Sequence, residues 1–356
     1  MKDRLKNGIA IALLPQIALV YWASTNPEFI ERYYSSGLYP FISSLYRKLL
    51  GWIPISVGDI CYMILGALAI YYVIRTRRRL FTKGMLVNVI MVISIAYFTF
   101  NIMWGLNYYR IPIADTLGLK ETFSKEELVK LTDQLIQKSN WIQEEITMDT
   151  VTAIWVPHSQ KAIFSTAQDG YDQLAKRYPN LDYNLPSIKP SLLSTMLSYM
   201  GYGGYLNPFT LEGQVNAKMP SFRQPVVSAH EMAHQVGYAA ENEANFIGYL
   251  AASQSPDPFA NYSAVTFGLS HCLGQLHAMD STAYNVAITR LHPGVKKNFI
   301  EAREFWESYQ NPLEPLFKSA FDTFLKANRQ EEGIASYNQV VALLIAYHRK
   351  EPLEHL

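Results

Sequence analysis

The chain has 356 residues, with 31 basic and 30 acidic side chains and a net charge of +1; 49% of it is hydrophobic and 13% aromatic. That balance gives no basic field that would argue for nucleic acid, so none is expected as a partner, and the length allows one or two domains with a real core. Two cysteines make no disulfide scaffold, and Cys61 lies in an apolar run, so pairing with Cys272 is not expected and the compartment stays open.

Apolar residues crowd into the first 110 positions. Three runs there, residues 8–24, 57–74 and 84–106, are long and apolar enough to cross a bilayer, which takes ~20 helical residues. Tyr21, Trp22, Tyr71, Tyr72, Trp104, Tyr108 and Tyr109 stand near their ends, as interfacial belts do. Residues 1–109 therefore read as a membrane domain whose partner is the lipid bilayer. Lys2, Arg4 and Lys6 precede the first run, and Arg75, Arg77, Arg78, Arg79 and Lys83 lie between the second and third. Both basic stretches read as cytoplasmic, and the mixed-sign segment 25–56 as outside. Within it, residues 39–55 suit an amphipathic piece along the interface. Three crossings from an inner N-terminus put everything after Tyr109 outside, and a cleaved leader would give the same placement.

From Arg110 the composition turns globular, and residues 110–356 read as one outer domain. Residues 123–146 carry a helical stripe of Leu128, Leu131, Leu135 and Ile136, opened by a Ser124–Glu127 capping box. Residues 164–179 read as a second helix stopped by Pro179. Residues 189–220 are rich in Gly, Asn, Pro and aromatics and read as short strands and turns. From Gln224 to Arg349 the period is helical, with breaks at 256–258, 292–294 and 311–315. The fold class is thus α-rich α+β: three N-terminal membrane helices, then a domain with a small β-sheet just before its central helix.

That helix is the segment QPVVSAHEMAHQV, residues 224–236, with Pro225 suited to its first turn and Gly237 to a left-handed stop. His230 and His234 stand four apart, so both imidazoles leave one face a turn apart and can share one Zn²⁺. Glu231 points beside that face. There it is placed as general base to hold the attacking water and to pass its proton to a leaving group. Hydrolytic zinc sites want a third protein ligand, and Glu241 and Glu243 both follow. On a helix, Glu241, Asn245, Gly248 and Ala252 share a small, polar face, whereas Glu243 falls with Phe246, Ile247 and Leu250. The first face fits a ligand reaching the histidines, so Glu241 is favoured as third ligand, with Glu243 as the alternate. Asn245, one turn on, is placed to hydrogen-bond a ligand.

HEMAHQVG followed by ENEAN resembles the zincin metallopeptidases. The spacing of Glu241 and Asn245 is similar to the gluzincin ExxxD or ExxxN, in which the Glu is the third ligand. The gap from His234 to Glu241 is far shorter than in thermolysin-like enzymes. Gly237 is similar to the metzincin layout instead, although Ala240 stands where that pattern has His. From the first membrane run to Val341 the chain also resembles an uncharacterised bacterial family. Its members pair N-terminal membrane helices with NPFTLEGQVN, HEMAHQVGYAAENEANF and a late SYNQVV. The resemblance implies a zincin-like zinc metallopeptidase of the bacterial cytoplasmic membrane and names no substrate.

Around the motif, residues 204–217 are the candidate edge strand for an extended peptide or protein substrate. Tyr205, Arg223, Tyr337, His271 and His277 are candidates to stabilise an oxyanion or hold substrate, and the sequence does not choose between them. Two other readings stand beside the peptidase. In one, a membrane sensor or binding module carries a structural zinc site, which would have no need of Glu231. In the other, a zinc amide hydrolase acts on a non-protein envelope substrate. A transporter or assembly scaffold fits less well, because the membrane runs carry few internal charges.

Overall fold

The computed structural model describes residues 3–79, 82–328, 330 and 339–353. Helices dominate, with one three-stranded sheet. The helices Asp3–Ser24, Val57–Thr76 and Lys83–Met103 are long and apolar enough to cross a membrane. Only 17%, 11% and 17% of their apolar windows are covered by protein, which leaves surface that a bilayer would cover. The first is interrupted at Ala12 because Pro15 has no N–H to offer Ile11. It begins at Asp3 rather than residue 8, its first turn being polar. The third stops at Met103; residues 104–106, expected inside it, enter the tight turns Gly105–Tyr109.

Between the first two spans, the helix Tyr39–Leu50 is two-faced. Tyr39, Ser43 and Arg47, four apart, are buried against the globular half, while Phe41, Leu45 and Leu49 are exposed, with Trp52 just beyond. An interfacial piece that also clamps the globular half has this pattern. The N-terminal helices and the globular part are accordingly knitted together. Tyr34, Tyr39, Trp104 and Tyr109 form one apolar cluster with Leu206, Leu211 and Ala239.

The globular half follows the periodicity closely. The helix Lys125–Thr147 buries Leu128, Leu131, Leu135 and Ile136 and is opened by the Ser124–Glu127 capping box. The second expected helix spans Gln160–Arg177. Residues 189–220 differ in part, since Ser194–Met200 is helical. The sheet has the order β1–β3–β2, with β1 Ile188–Pro190 parallel to β3 Gly213–Val215, and β2 Gly204–Leu206 antiparallel to it on the other side. Two helices form the centre of the core: the motif helix Gln224–Val236 and, after the left-handed Gly237, the carboxylate helix Glu241–Gln254. Gly170 lets the Gln160–Arg177 helix close on the second, for a Cβ there would lie 2.0 Å from the Ala251 carbonyl oxygen.

The last described helix, Val340–Lys350, completes this core, with Tyr347 packed edge-on to Phe246. His348 Nδ1 lies 2.8 Å from the Glu351 carbonyl oxygen and must donate to it, so Nε2 accepts from the Tyr249 hydroxyl at 2.9 Å. Burial holds this imidazole down to about 4. The unfolded chain takes up that proton near pH 6.5, so stability present above 6.5 is lost as pH falls towards 4, by up to ~3 kcal/mol. His348→Gln is expected to flatten the pH dependence of the thermal midpoint in that window. An unchanged slope would show that His348 is not the titrating group.

Candidate metal centre

Each helix contributes to the site for a local reason. His230 and His234 leave the motif helix one turn apart, with ring centroids 4.6 Å apart and planes at 85°. The left-handed Gly237 reverses the chain at once, and a Cβ there would press on the Tyr39 ring at 2.9 Å. Glu241 then opens the carboxylate helix beside the histidines. The two helices meet closely because Gly248 has no side chain: a Cβ would lie 2.8 Å from the His230 backbone nitrogen. Of the small face expected for Glu241, Asn245, Gly248 and Ala252, the first three meet His230 of the motif helix.

Glu241 Oε2 lies 3.4 Å from His230 Nε2 and 3.7 Å from His234 Nε2. One ligand atom from each residue lies within 4.8 Å of the others, and the three form a group that could hold a metal ion. His234 Nδ1 donates to the Tyr238 carbonyl at 2.7 Å, so Nε2 is the nitrogen that faces Glu241. Burial opposes charge on His234, but Glu241, with Glu231 behind it, outweighs that and raises it to about 9. Glu241 is held low by the two histidines despite its burial. Burial pushes His230 down, while Glu241 and Asn245 act the other way. Asn245 thus adjoins the His230 ring, although its Nδ2 and His230 Nδ1 are both buried without a hydrogen-bond partner.

Glu243 is elsewhere. Its Oε1 accepts from the Ile113 N–H at 2.6 Å, and Arg110 adds a second attraction, yet burial still raises it to about 7. Arg110 itself pairs with Glu31 at 2.9 Å and donates to the Gly237 carbonyl. Of the two candidates, only Glu241 joins the histidines.

Glu231 is 2% exposed, and its Oε2 has no hydrogen-bond partner. Burial raises it to about 8; a divalent cation beside it would pull that value down again. It lies directly under β2, where a Cβ on Gly204 would come 2.4 Å from Oε1. Among the described residues β2 pairs only with β3, at the edge of the sheet. Gly204, His230 and Glu231 line two adjoining cavities. The larger, about 870 Å³, includes Arg223, Asn245, His271 and His277. The smaller, about 360 Å³, is apolar and runs between the trio and the membrane helices, past Tyr62, Phe100 and Trp104.

The remaining expectations divide. Arg223, His271 and His277 all reach the larger cavity. Tyr205 lines the smaller one, but its hydroxyl is bonded to Asp59, 146 residues away in sequence, so it is not free to face an oxyanion. Tyr337 lies outside the described residues. The sequence reading passed over Tyr202, which lines both cavities beside Glu231 and is raised to about 12 by burial and by Glu241. Tyr202 stands between Gly201 and Gly203, in the turn that leads into β2. The sequence reading also missed the membrane side of the site. There Tyr39 and Trp104 donate to the backbone carbonyls of His234 and Gln235.

A protein-family model described as "Protein of unknown function (DUF3810)" matches residues 34–345, and the chain belongs to that family. No curated protein and no solved structure matches the chain.

Proposed function

We propose that this member of the DUF3810 family is a membrane-anchored zinc peptidase of the zincin type, with its globular half outside the cytoplasmic membrane. One observation carries the reading: His230, His234 and Glu241 converge to within 4.8 Å beside Glu231, whose buried oxygen has no partner. The donor set suits zinc, which takes two imidazoles and a carboxylate in hydrolytic sites. The spacing also fits. Ligand bonds of ~2.0–2.1 Å at a tetrahedral angle separate two ligand atoms by ~3.3 Å. The observed 3.4 and 3.7 Å are near that figure and long for hydrogen bonds. The outward placement rests on the basic stretches at 2–6 and 75–83.

His230, His234 and Glu241 would hold the ion, which when bound supplies Lewis acidity toward a peptide carbonyl and acidifies water at the site. Glu231 orients that water and accepts its proton as the new C–O bond forms. It then gives the proton to the amine nitrogen as the C–N bond breaks. The free edge of β2 offers backbone groups to an extended substrate, which would lie across Glu231. Tyr202 is positioned to donate to the oxygen that gains charge.

The purified full chain, in detergent, tests this against unstructured peptides. Cleavage is expected to stop on chelation and to return with about one equivalent of zinc. Cleavage indifferent to chelation would refute the reading. Fully metallated protein that cleaves no peptide would favour a structural zinc site.

A further inference from the structure

We infer that the larger cavity holds a carboxylate of the substrate on Arg223, two helical turns from the metal trio; the inference rests on the peptidase reading. Arg223 stands at the N-terminal boundary of the motif helix, seven residues before His230. Seven residues are about two turns, so the two side chains leave nearly the same face ~10 Å apart along the axis. Both line the same cavity of about 870 Å³.

The charges in that cavity are unequal. Its other two cations already have partners: Arg303 Nε is 3.7 Å from Glu307, and Lys318 Nζ is 2.6 Å from Glu314. No carboxylate lies within ion-pair distance of Arg223 among the described residues. Its guanidinium instead lies over two rings, 5.1 Å from the Phe222 centroid and 5.7 Å from that of Phe299. Among the described residues, the only acid lining the cavity is Glu231, at the metal end. Burial depresses Arg223 to about 10, which leaves it charged at neutral pH but without a counter-ion. Arg223 is partly buried, so an anion that pairs with it there meets less competition from water than at an open surface. Held beside rings rather than acids, the guanidinium has no side-chain hydrogen-bond partner among the described residues and can offer a two-pronged bond, for which a carboxylate has the matching geometry.

An extended peptide advances ~3.4 Å per residue, so the offset places the carboxylate about three residues from the bond to be cut. A chain terminus or an acidic side chain could supply it. The test uses metal-free full-length protein in detergent, so that binding is read without cleavage. Three peptides are titrated calorimetrically: N-acetyl-Phe-Ala-Ala as free acid, the same as carboxamide, and N-acetyl-Phe-Ala-Asp as carboxamide. At least one carboxylate form is expected to bind about tenfold or more tightly than the neutral carboxamide, and the tighter one identifies the source. Arg223→Gln is expected to erase that preference while leaving carboxamide affinity within about twofold, with Arg223→Lys intermediate. The inference is overturned by equal affinities in the wild type, by a preference that survives Arg223→Gln, or by loss of carboxamide binding in that variant. Because this readout needs no turnover, its failure is distinct from the peptidase reading's, which fails on cleavage.

Discussion

Glu231→Gln is expected to cut turnover of a cleavable peptide by about 10²–10⁴-fold, the usual scale for losing a general base, while the metal content stays at the wild-type level. Glu231 is outside the His230–His234–Glu241 group, so the substitution removes no candidate ligand. The two side chains have the same size, which matters because Gly204 leaves no slack above the carboxylate. An amide cannot take a proton from water, so the loss should fall on kcat more than on KM. Zinc analysis and steady-state kinetics on the same preparation give both numbers. Near wild-type turnover in a metallated Glu231→Gln protein would remove Glu231 from the chemistry and leave the ion with a structural task.

Glu212→Ala should be the most damaging single change to the fold, at about 3–5 kcal/mol. Glu212 is fully buried and accepts from the N–H groups of Val57 (3.2 Å) and Gly58 (2.6 Å), so its carboxylate caps the Val57–Thr76 membrane helix. It also pairs with the buried Lys189, whose Nζ donates in addition to the Leu50 carbonyl at 2.9 Å. Removing the carboxylate strands a buried ammonium and uncaps a helix in one step. The same region holds Asp59, which accepts from Ser191 and Leu192 and is bonded to Tyr205, so the sheet beside the site is moored to the start of that helix. Denaturant midpoints in detergent should show the loss. Adding Lys189→Met should recover part of it, since an apolar side chain costs less there than an unpaired charge. A midpoint within about 0.5 kcal/mol of wild type would mean that this mooring contributes little.

Much of this was readable from the chain. The paired histidines need only helical spacing, and the choice of Glu241 over Glu243 needs only the small residues at 245, 248 and 252. Those are local facts, and the Cβ that Gly248 lacks is what brings Glu241 to His230. The apolar runs were legible for the same reason, with errors confined to their ends. What escaped was long-range pairing of polar groups. Tyr205 looked free because its partner, Asp59, stands 146 residues away, in the first turn of a membrane helix. The Lys189–Glu212 pair, 23 residues apart, and the parallel β1–β3 register, 25 apart, join segments that show no shared period. The apolar cavity beside the trio needs side chains from two membrane helices, which no pattern in one segment announces.

The central claim is that one metal ion sits between His230, His234 and Glu241, and zinc content per chain in paired carboxylate variants tests it most directly. The full-length wild type is expected to carry one zinc, Glu241→Ala to lose most of it at micromolar free metal, and Glu243→Ala to keep it. Retention by Glu241→Ala with loss from Glu243→Ala, or a wild type that binds no zinc, would contradict the account.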